Sequence, residues 1–108
     1  MRVLFTSGPG YGHLQPMLPL ARAFRDAGDE VAIATVPELL PRAEAAGFTA
    51  MRAGEDFADW WPELQRLNPG EPWTMLAPEE ILQWFVPHLF GEVGAPAMLR
   101  DLVPIVGD

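Results

Sequence analysis

One histidine of this chain lies where a general base could act. His13 closes the glycine-rich segment Ser7-Gly-Pro-Gly-Tyr-Gly-His13, between an apolar strand pattern and an amphipathic helix pattern. Parallel α/β sheets build their sites in the crevice beyond the carboxyl ends of the strands. Because the positive end of a helix dipole disfavours imidazolium, His13 should stay neutral and able to accept a proton. From the residues alone, a capping or packing role for His13 stays open beside the catalytic one.

The glycines of this segment favour close approach of a ligand. Gly8, Gly10 and Gly12 can adopt positive φ, and amides at a helix start suit a negative group such as a phosphate. The spacing is Gly-x-Gly-x-Gly, not the dinucleotide Gly-x-Gly-x-x-Gly, and the second predicted strand lacks an acid for a ribose hydroxyl. A P-loop is excluded because the chain contains no lysine. A nicotinamide site is therefore disfavoured, although an oxidoreductase cofactor domain remains the weakest of the alternatives.

The elements that position the turn follow an α/β pattern over residues 1–54. Apolar, β-prone runs predict strands at 2–6, 30–36 and 48–51, the first of them buried. Apolar residues at three- and four-residue steps predict helices from 14 to 28 and from 37 to 47. Alternating strands and helices imply right-handed crossovers and a parallel, Rossmann-like sheet.

Residues 55–108 are organised differently. Prolines predict an irregular stretch over 54–78, apart from a short helix at 59–67. A further helix should begin at 78, kink at Pro87 and end at Gly91 and Gly94, and a last helix is predicted over 96–106. His88 has the setting of a structural residue. The aromatic side chains of this half could line an apolar ligand site or fill a core; they include Phe57, Trp60, Trp61, Trp73, Trp84 and Phe85.

The composition excludes several functions. Residues 1–54 hold five arginines and five acids, whereas 55–108 hold two arginines and ten acids and so carry the whole net charge of −8. An acidic surface repels phosphate backbones, which argues against nucleic-acid binding. With no cysteine, disulfides and thiolate metal sites are excluded. Because no membrane-span or signal-peptide pattern is present, a cytoplasmic protein is expected.

The first half resembles a known enzyme family. The segment RVLFTSGPGYGHLQPMLPLA, residues 2–21, is similar to the start of GT-B glycosyltransferases, especially the bacterial enzymes that glycosylate natural products such as macrolides and enediynes. Residues 28–35 and 43–48 continue the resemblance, which is strong over 2–54 and loose beyond. A related branch that acts on lipid-linked peptidoglycan precursors carries Gly-Gly-Thr-Gly-Gly-His, and the segment ending at His13 departs from it.

The resemblance implies an inverting sugar transfer. His13 would remove the proton of an acceptor hydroxyl, whose oxygen attacks the anomeric carbon of a dTDP- or UDP-sugar. No metal or other cofactor is expected, because amides and helix dipoles would stabilise the departing diphosphate. Gly10, Tyr11 and Gly12 would lie at the cleft between donor and acceptor. The residues expected to contact an apolar acceptor are Phe57, Trp60, Trp73, Trp84 and Phe85.

The resemblance also implies that this chain is one part of such an enzyme. GT-B proteins have two Rossmann-like domains, and 1–108 would belong to the first, acceptor-binding one, with 1–54 as a βαβαβ core and 55–108 as a variable acceptor side. The nucleotide-sugar domain and the aspartate that orients the histidine would follow, since Asp101 and Asp108 are poor substitutes. The piece alone should be inactive and marginally stable. A homodimer is compatible with this organisation, and a non-catalytic α/β binding module is the alternative function.

Overall fold

Three short strands form one parallel sheet. β1 (Arg2–Ser7), β2 (Glu30–Thr35) and β3 (Thr49–Arg52) lie in the order β1-β2-β3. Leu4 is paired with Ala32, and Ala32 with Thr49. The computed structural model describes residues 1–107. The parallel α/β architecture that the sequence predicts for the first half is confirmed.

Helices cover one face of this sheet. They are α1 (Tyr11–Leu14), α2 (Leu18–Asp26) and α3 (Leu40–Ala45), with single 3₁₀ turns at Gln15–Met17 and Pro37–Leu39. The turns occur where prolines interrupt regular helical hydrogen bonding. The first predicted helix starts earlier than expected, at Tyr11, and has a 3₁₀ turn in its middle. A core of apolar side chains fills the space between these helices and the sheet; its buried members are Leu14, Leu18, Ala21, Ile33, Val36, Leu39, Ala43 and Phe48.

The opposite face of the sheet is only partly covered. Leu4, Ala32 and Met51 line a groove of about 400 Å³ whose other wall is formed by Ile105 and Val106 near the chain's last described residues. Within residues 1–107, β1 pairs only with β2 and is an edge strand. The prediction of a buried first strand is therefore wrong, because a strand is fully buried only when both of its faces and both of its edges are covered.

A continuous series of helices makes up the second half. α4 (Phe57–Leu67) is followed by 3₁₀ turns at Pro72–Met75 and Pro78–Glu80, α5 (Ile81–Phe85), a π-helix (Val86–Gly94) and α6 (Ala95–Gly107). Trp60 and Trp61 thus lie on α4, within the short helix predicted at 59–67. The prediction of a short helix near this position is confirmed.

The helix that begins after Pro78 does not end at Gly91 or Gly94. Pro87 would clash with a carbonyl of the preceding turn in an α-helix, and the chain widens to π geometry at Val86 instead of breaking. Leu89 and Val93, four residues apart, are both buried, so burying them requires the helical path to continue. The predicted helix ends are therefore wrong, and the predicted kink takes the form of a π-helix.

A second core holds these helices together. Trp60 and Leu64 of α4 pack against Leu89 and Val93 of the π-helix. Gly94 allows this packing, since a Cβ atom there would lie 2.5 Å from Cη2 of Trp60. Gly94 is a close-packing glycine and not a helix terminator.

Candidate functional site

The carboxyl ends of β1 and β2 are tied together by two hydroxyl groups. Thr35 Oγ1 donates to the carbonyl of Ser7 at 3.1 Å, and the two hydroxyl oxygens are 3.0 Å apart. Both side chains are buried. This pair fixes the base of the glycine-rich loop. Sequence reasoning missed it, although small hydroxyl residues at the ends of neighbouring parallel strands are the signal that could have revealed it.

His13 lies on α1, the short helix that follows the glycine-rich loop. Its amide donates to the carbonyl of Gly10 at 3.0 Å, and its side chain is exposed. The imidazole lies close to Gly10, because a Cβ atom at that position would be 3.1 Å from His13 Cδ2. His13 thus lies where the sequence predicts, at a helix start beyond β1, and its side chain is accessible.

The three loop glycines serve different purposes. Gly10 has φ 101°, a conformation that L-residues avoid. Gly8 and Gly12 do not use the positive φ that glycine allows, and a Cβ atom at either would meet no atom within 4 Å. The backbone at these two positions is consequently open to an approaching group.

Tyr11 is directed toward the sheet core. The guanidinium of Arg42 on α3 lies 4.0 Å from the centre of the Tyr11 ring, and the ring packs against the first core. Tyr11 therefore anchors the start of α1 to α3. Of the three residues expected to line the cleft, it has the clearest structural role.

A charged network lies at the carboxyl end of β3. Asp101 on α6 accepts hydrogen bonds from the amide of Gly54 at 2.9 Å and from Arg100, and Arg100 also binds Glu55, which in turn binds Arg52. The bonds from Arg100, followed by that from Gly54, lower the pKa of Asp101 to about 2. The network joins the helical half to the sheet. No local pattern indicates this network, because its two groups, at 52–55 and 100–101, are more than forty residues apart along the chain.

The structure brings most of the predicted aromatic residues together. Trp73, Trp84 and Phe85 form a cluster with Trp61: the ring centres of Trp73 and Trp84 are 5.6 Å apart, and Trp61 stacks on Phe85 at 6.0 Å. These side chains are only partly buried. We call Trp61, Trp73, Trp84 and Phe85 the aromatic cluster.

Phe57 and Trp60 lie in a neighbouring group. Trp60 is 4% exposed and belongs to the second core, with Phe57 and Phe90 at ring distances of 5.7 and 5.4 Å. Phe57 and Phe90 are each about half exposed. Trp60 is therefore a core residue, whereas Phe57 is accessible to a ligand.

The described part of the chain holds neither a cluster of metal-ligand side chains nor a membrane-spanning helix. Among residues 1–107, no three His, Asp or Glu side chains are grouped as a metal site would require. None of the helices in this range combines the length and the apolar character needed to cross a bilayer.

The fold defines a class. The chain has a three-stranded parallel sheet with helices packed on it, and its likeness to solved structures places it among those with the GT-B glycosyltransferase fold. A crystal structure of the glycosyltransferase VinC in complex with dTDP has a TM-score of 0.65 and 25% sequence identity; the likeness covers 99% of this chain and 27% of that one. The fold class predicted from the sequence is confirmed.

Relatives of known activity agree with the fold. L-demethylnoviosyl transferase of Streptomyces niveus is 54% identical over 108 residues, which is 97% of this chain and 26% of that enzyme. 3-alpha-mycarosylerythronolide B desosaminyl transferase of Saccharopolyspora erythraea is 46% identical over 56 residues, 52% of this chain and 13% of that enzyme. No protein-family model matches the chain. The resemblance to natural-product glycosyltransferases is confirmed, and the chain spans about a quarter or less of these relatives.

Proposed function

We propose that this chain is the acceptor-side part of an inverting glycosyltransferase. The enzyme would move a sugar from a nucleotide diphosphate to a hydroxyl group of an apolar natural product. The proposal rests chiefly on one observation: an accessible histidine lies at a helix start beyond β1 in a chain whose relatives are glycosyltransferases. His13 is the general base, and proton removal by such a group contributes about 10²–10⁴-fold to a rate.

The geometry around His13 supports this role. The ring lies against Gly10, whose φ of 101° and lack of a side chain make room for it. Because the hydroxyl pair of Ser7 and Thr35 is buried beneath the loop, the loop has a rigid base. A base held on such a support loses less entropy when the acceptor hydroxyl is brought within hydrogen-bond distance.

The charges of the helical half support a neutral acceptor there. Both of its arginines are in ion pairs, Arg66 with Glu63 and Arg100 with Glu55 and Asp101. No unpaired cation is therefore offered to a diphosphate within residues 55–107. An apolar ligand with few polar groups suits the partly buried rings of the aromatic cluster better.

The donor and the rest of the cleft belong to the complete protein. A dTDP-sugar is the first candidate donor, since the VinC structure contains dTDP, and a UDP-sugar is the second. The carboxylate that orients His13 and the domain that binds the nucleotide lie outside residues 1–107. In the complete protein, further strands would cover the open edge of β1 and the groove beside Leu4 and Met51.

Sugar transfer by the full-length protein tests the function. The protein would be incubated with dTDP- and UDP-sugars and a panel of macrolide and anthracycline aglycones, and products would be detected by mass spectrometry. We expect a glycosylated aglycone with inverted anomeric configuration, and an undiminished rate after treatment with EDTA. Absence of transfer from every donor, or a product of retained configuration, would contradict the proposal. Loss of activity in EDTA would contradict only the expectation that transfer needs no metal ion.

A further inference from the structure

A second histidine is held in place beside the aromatic cluster. His88 lies on the π-helix, and its Nδ1 is hydrogen-bonded to Glu92, four residues later. On its other side the imidazole stacks on the indole of Trp84, with ring centres 4.1 Å apart and planes inclined by 22°. These contacts agree with the structural role predicted for His88, and the exposed part of the ring, 31% of the side chain, is available for a further contact.

The hydrogen bond to Glu92 decides what His88 can offer a ligand. A carboxylate only accepts hydrogen bonds, so Nδ1 must carry the proton. In the neutral ring, Nε2 is then left as an acceptor. The side chain of His88 is 31% exposed, and an acceptor at this position can receive the hydrogen of a hydroxyl group.

The neighbouring side chains define the rest of the ligand. His88 continues the aromatic cluster, since Trp84 touches both His88 and Trp73. Partly covered ring faces favour a flat apolar ligand that stacks against them. The surrounding half of the chain is acidic and its two arginines are in ion pairs, which disfavours an anionic ligand.

We propose that His88, held by Glu92 and Trp84, is a positioning residue that accepts a hydrogen bond from a hydroxyl group of a neutral, flat, apolar ligand lying on the aromatic cluster. This proposal rests on the proposed function for the identity of the ligand as the sugar acceptor. His88 and Glu92 orient the ligand, and His13 remains the group that removes a proton in the transfer.

A pair of matched probes tests this proposal in the full-length protein. 2-Naphthol and 2-methoxynaphthalene have the same ring system, but only the first carries a hydroxyl hydrogen. Their binding would be followed by quenching of tryptophan fluorescence, without donor or sugar transfer. We expect 2-naphthol to bind about 3- to 10-fold more tightly, as one hydrogen bond would give.

Two variants assign that preference to His88. His88→Phe keeps a ring against Trp84 but removes Nε2. The affinity for 2-methoxynaphthalene should stay at its wild-type value, and the affinity for 2-naphthol should fall to the same level. Glu92→Ala should reduce the preference, because Nδ1 and Nε2 then exchange the proton freely. Glu80→Ala, which removes a carboxylate from the same helical half, is the control, and this variant should keep the preference for 2-naphthol.

Equal affinities in the wild-type protein, no binding of either probe, or an undiminished preference in His88→Phe would overturn the proposal. Each of these outcomes is independent of catalysis. Failure of sugar transfer would leave the probe preference intact, so the two proposals fail separately.

Discussion

At the scale of single residues, Gly10 links the backbone of the loop to the candidate base. Its φ of 101° lies in a region that an L-side chain occupies only with strain. A side chain there would also crowd the imidazole of His13. Gly12, two residues later, is helical and has open space beside it. The two glycines therefore form a matched pair of opposite sensitivity.

Gly10→Ala should destabilise the protein and displace His13. Strain at positive φ, together with a contact of 3.1 Å, leads us to expect a loss of about 1–3 kcal/mol in the free energy of unfolding. Gly12→Ala should be neutral or stabilising by up to about 1 kcal/mol, because alanine favours a helix. Urea denaturation measures both, and equal effects of the two substitutions would contradict this account of the loop.

The sequence was informative about His13 and less so about its neighbours. Spacing alone placed the histidine at a helix start beyond a strand, since strand, glycine turn and helix patterns are local. It could not distinguish the glycine that needs positive φ from the two that do not. The orientation of Tyr11 depends on Arg42, about thirty residues away along the chain, and no local pattern reports such a contact.

At the scale of elements, the packing of α4 on the π-helix distinguishes the two glycines that were predicted to end a helix. The six-membered ring of Trp60 lies against Gly94, and Cζ2 and Cη2 would both be within 2.6 Å of an added Cβ atom. Gly91, in the same π-helix, has no atom within 4 Å of that position. One glycine is required by packing and the other is not.

Gly94→Ala should therefore separate α4 from the π-helix. Overpacking a buried contact typically costs about 1–3 kcal/mol, whereas Gly91→Ala should be neutral or slightly stabilising because alanine has the better helix propensity. Thermal unfolding followed by circular dichroism compares the two variants. If Gly94→Ala were as stable as Gly91→Ala, the close approach of Trp60 would be refuted.

Element boundaries in the first half followed from hydrophobic periodicity. In the second half, the helices predicted at 59–67 and 96–106 correspond to α4 and α6, but the course of the chain between them was not predicted. The strands and helices of 1–54 alternate, and each has its own period. Pro87 indicated a kink and Gly91 and Gly94 a helix end, yet all three lie within one π-helix. Tertiary packing of buried residues such as Leu64 and Leu89 outweighed these local signals.

At the scale of the whole molecule, the chain is elongated and contains two separate cores. The molecule measures 52 × 27 × 21 Å, and its radius of gyration of 16.1 Å exceeds the roughly 13 Å expected for a compact domain of this length. The first core lies on the sheet and the second between α4 and the π-helix. The hydrogen bond from Gly54 to Asp101, with Arg100 and Glu55 beside it, is a polar connection between the two halves of the chain.

Asp101→Asn should weaken this connection in a pH-dependent way. The folded-state pKa of Asp101 is lowered from 3.8 to about 2. Its ionised form therefore stabilises the fold fully above about pH 4, and this contribution is lost as the pH falls through about 2. We expect the variant to be less stable by about 1 kcal/mol at pH 7, and the difference to shrink as the pH falls and to vanish only well below pH 2. Denaturation across this range measures the difference, and a pH-independent difference would contradict it.

His13 is proposed to remove the proton of the acceptor hydroxyl during sugar transfer. The most direct test is the steady-state rate of sugar transfer by full-length His13→Ala, compared with Arg22→Ala on the exposed face of α2. His13→Ala should lower kcat by about 10²–10⁴-fold with a small change in KM for the acceptor, because general-base catalysis acts in the transition state. Arg22→Ala should retain the wild-type kcat. A His13→Ala enzyme whose kcat equals that of the wild type would contradict the claim.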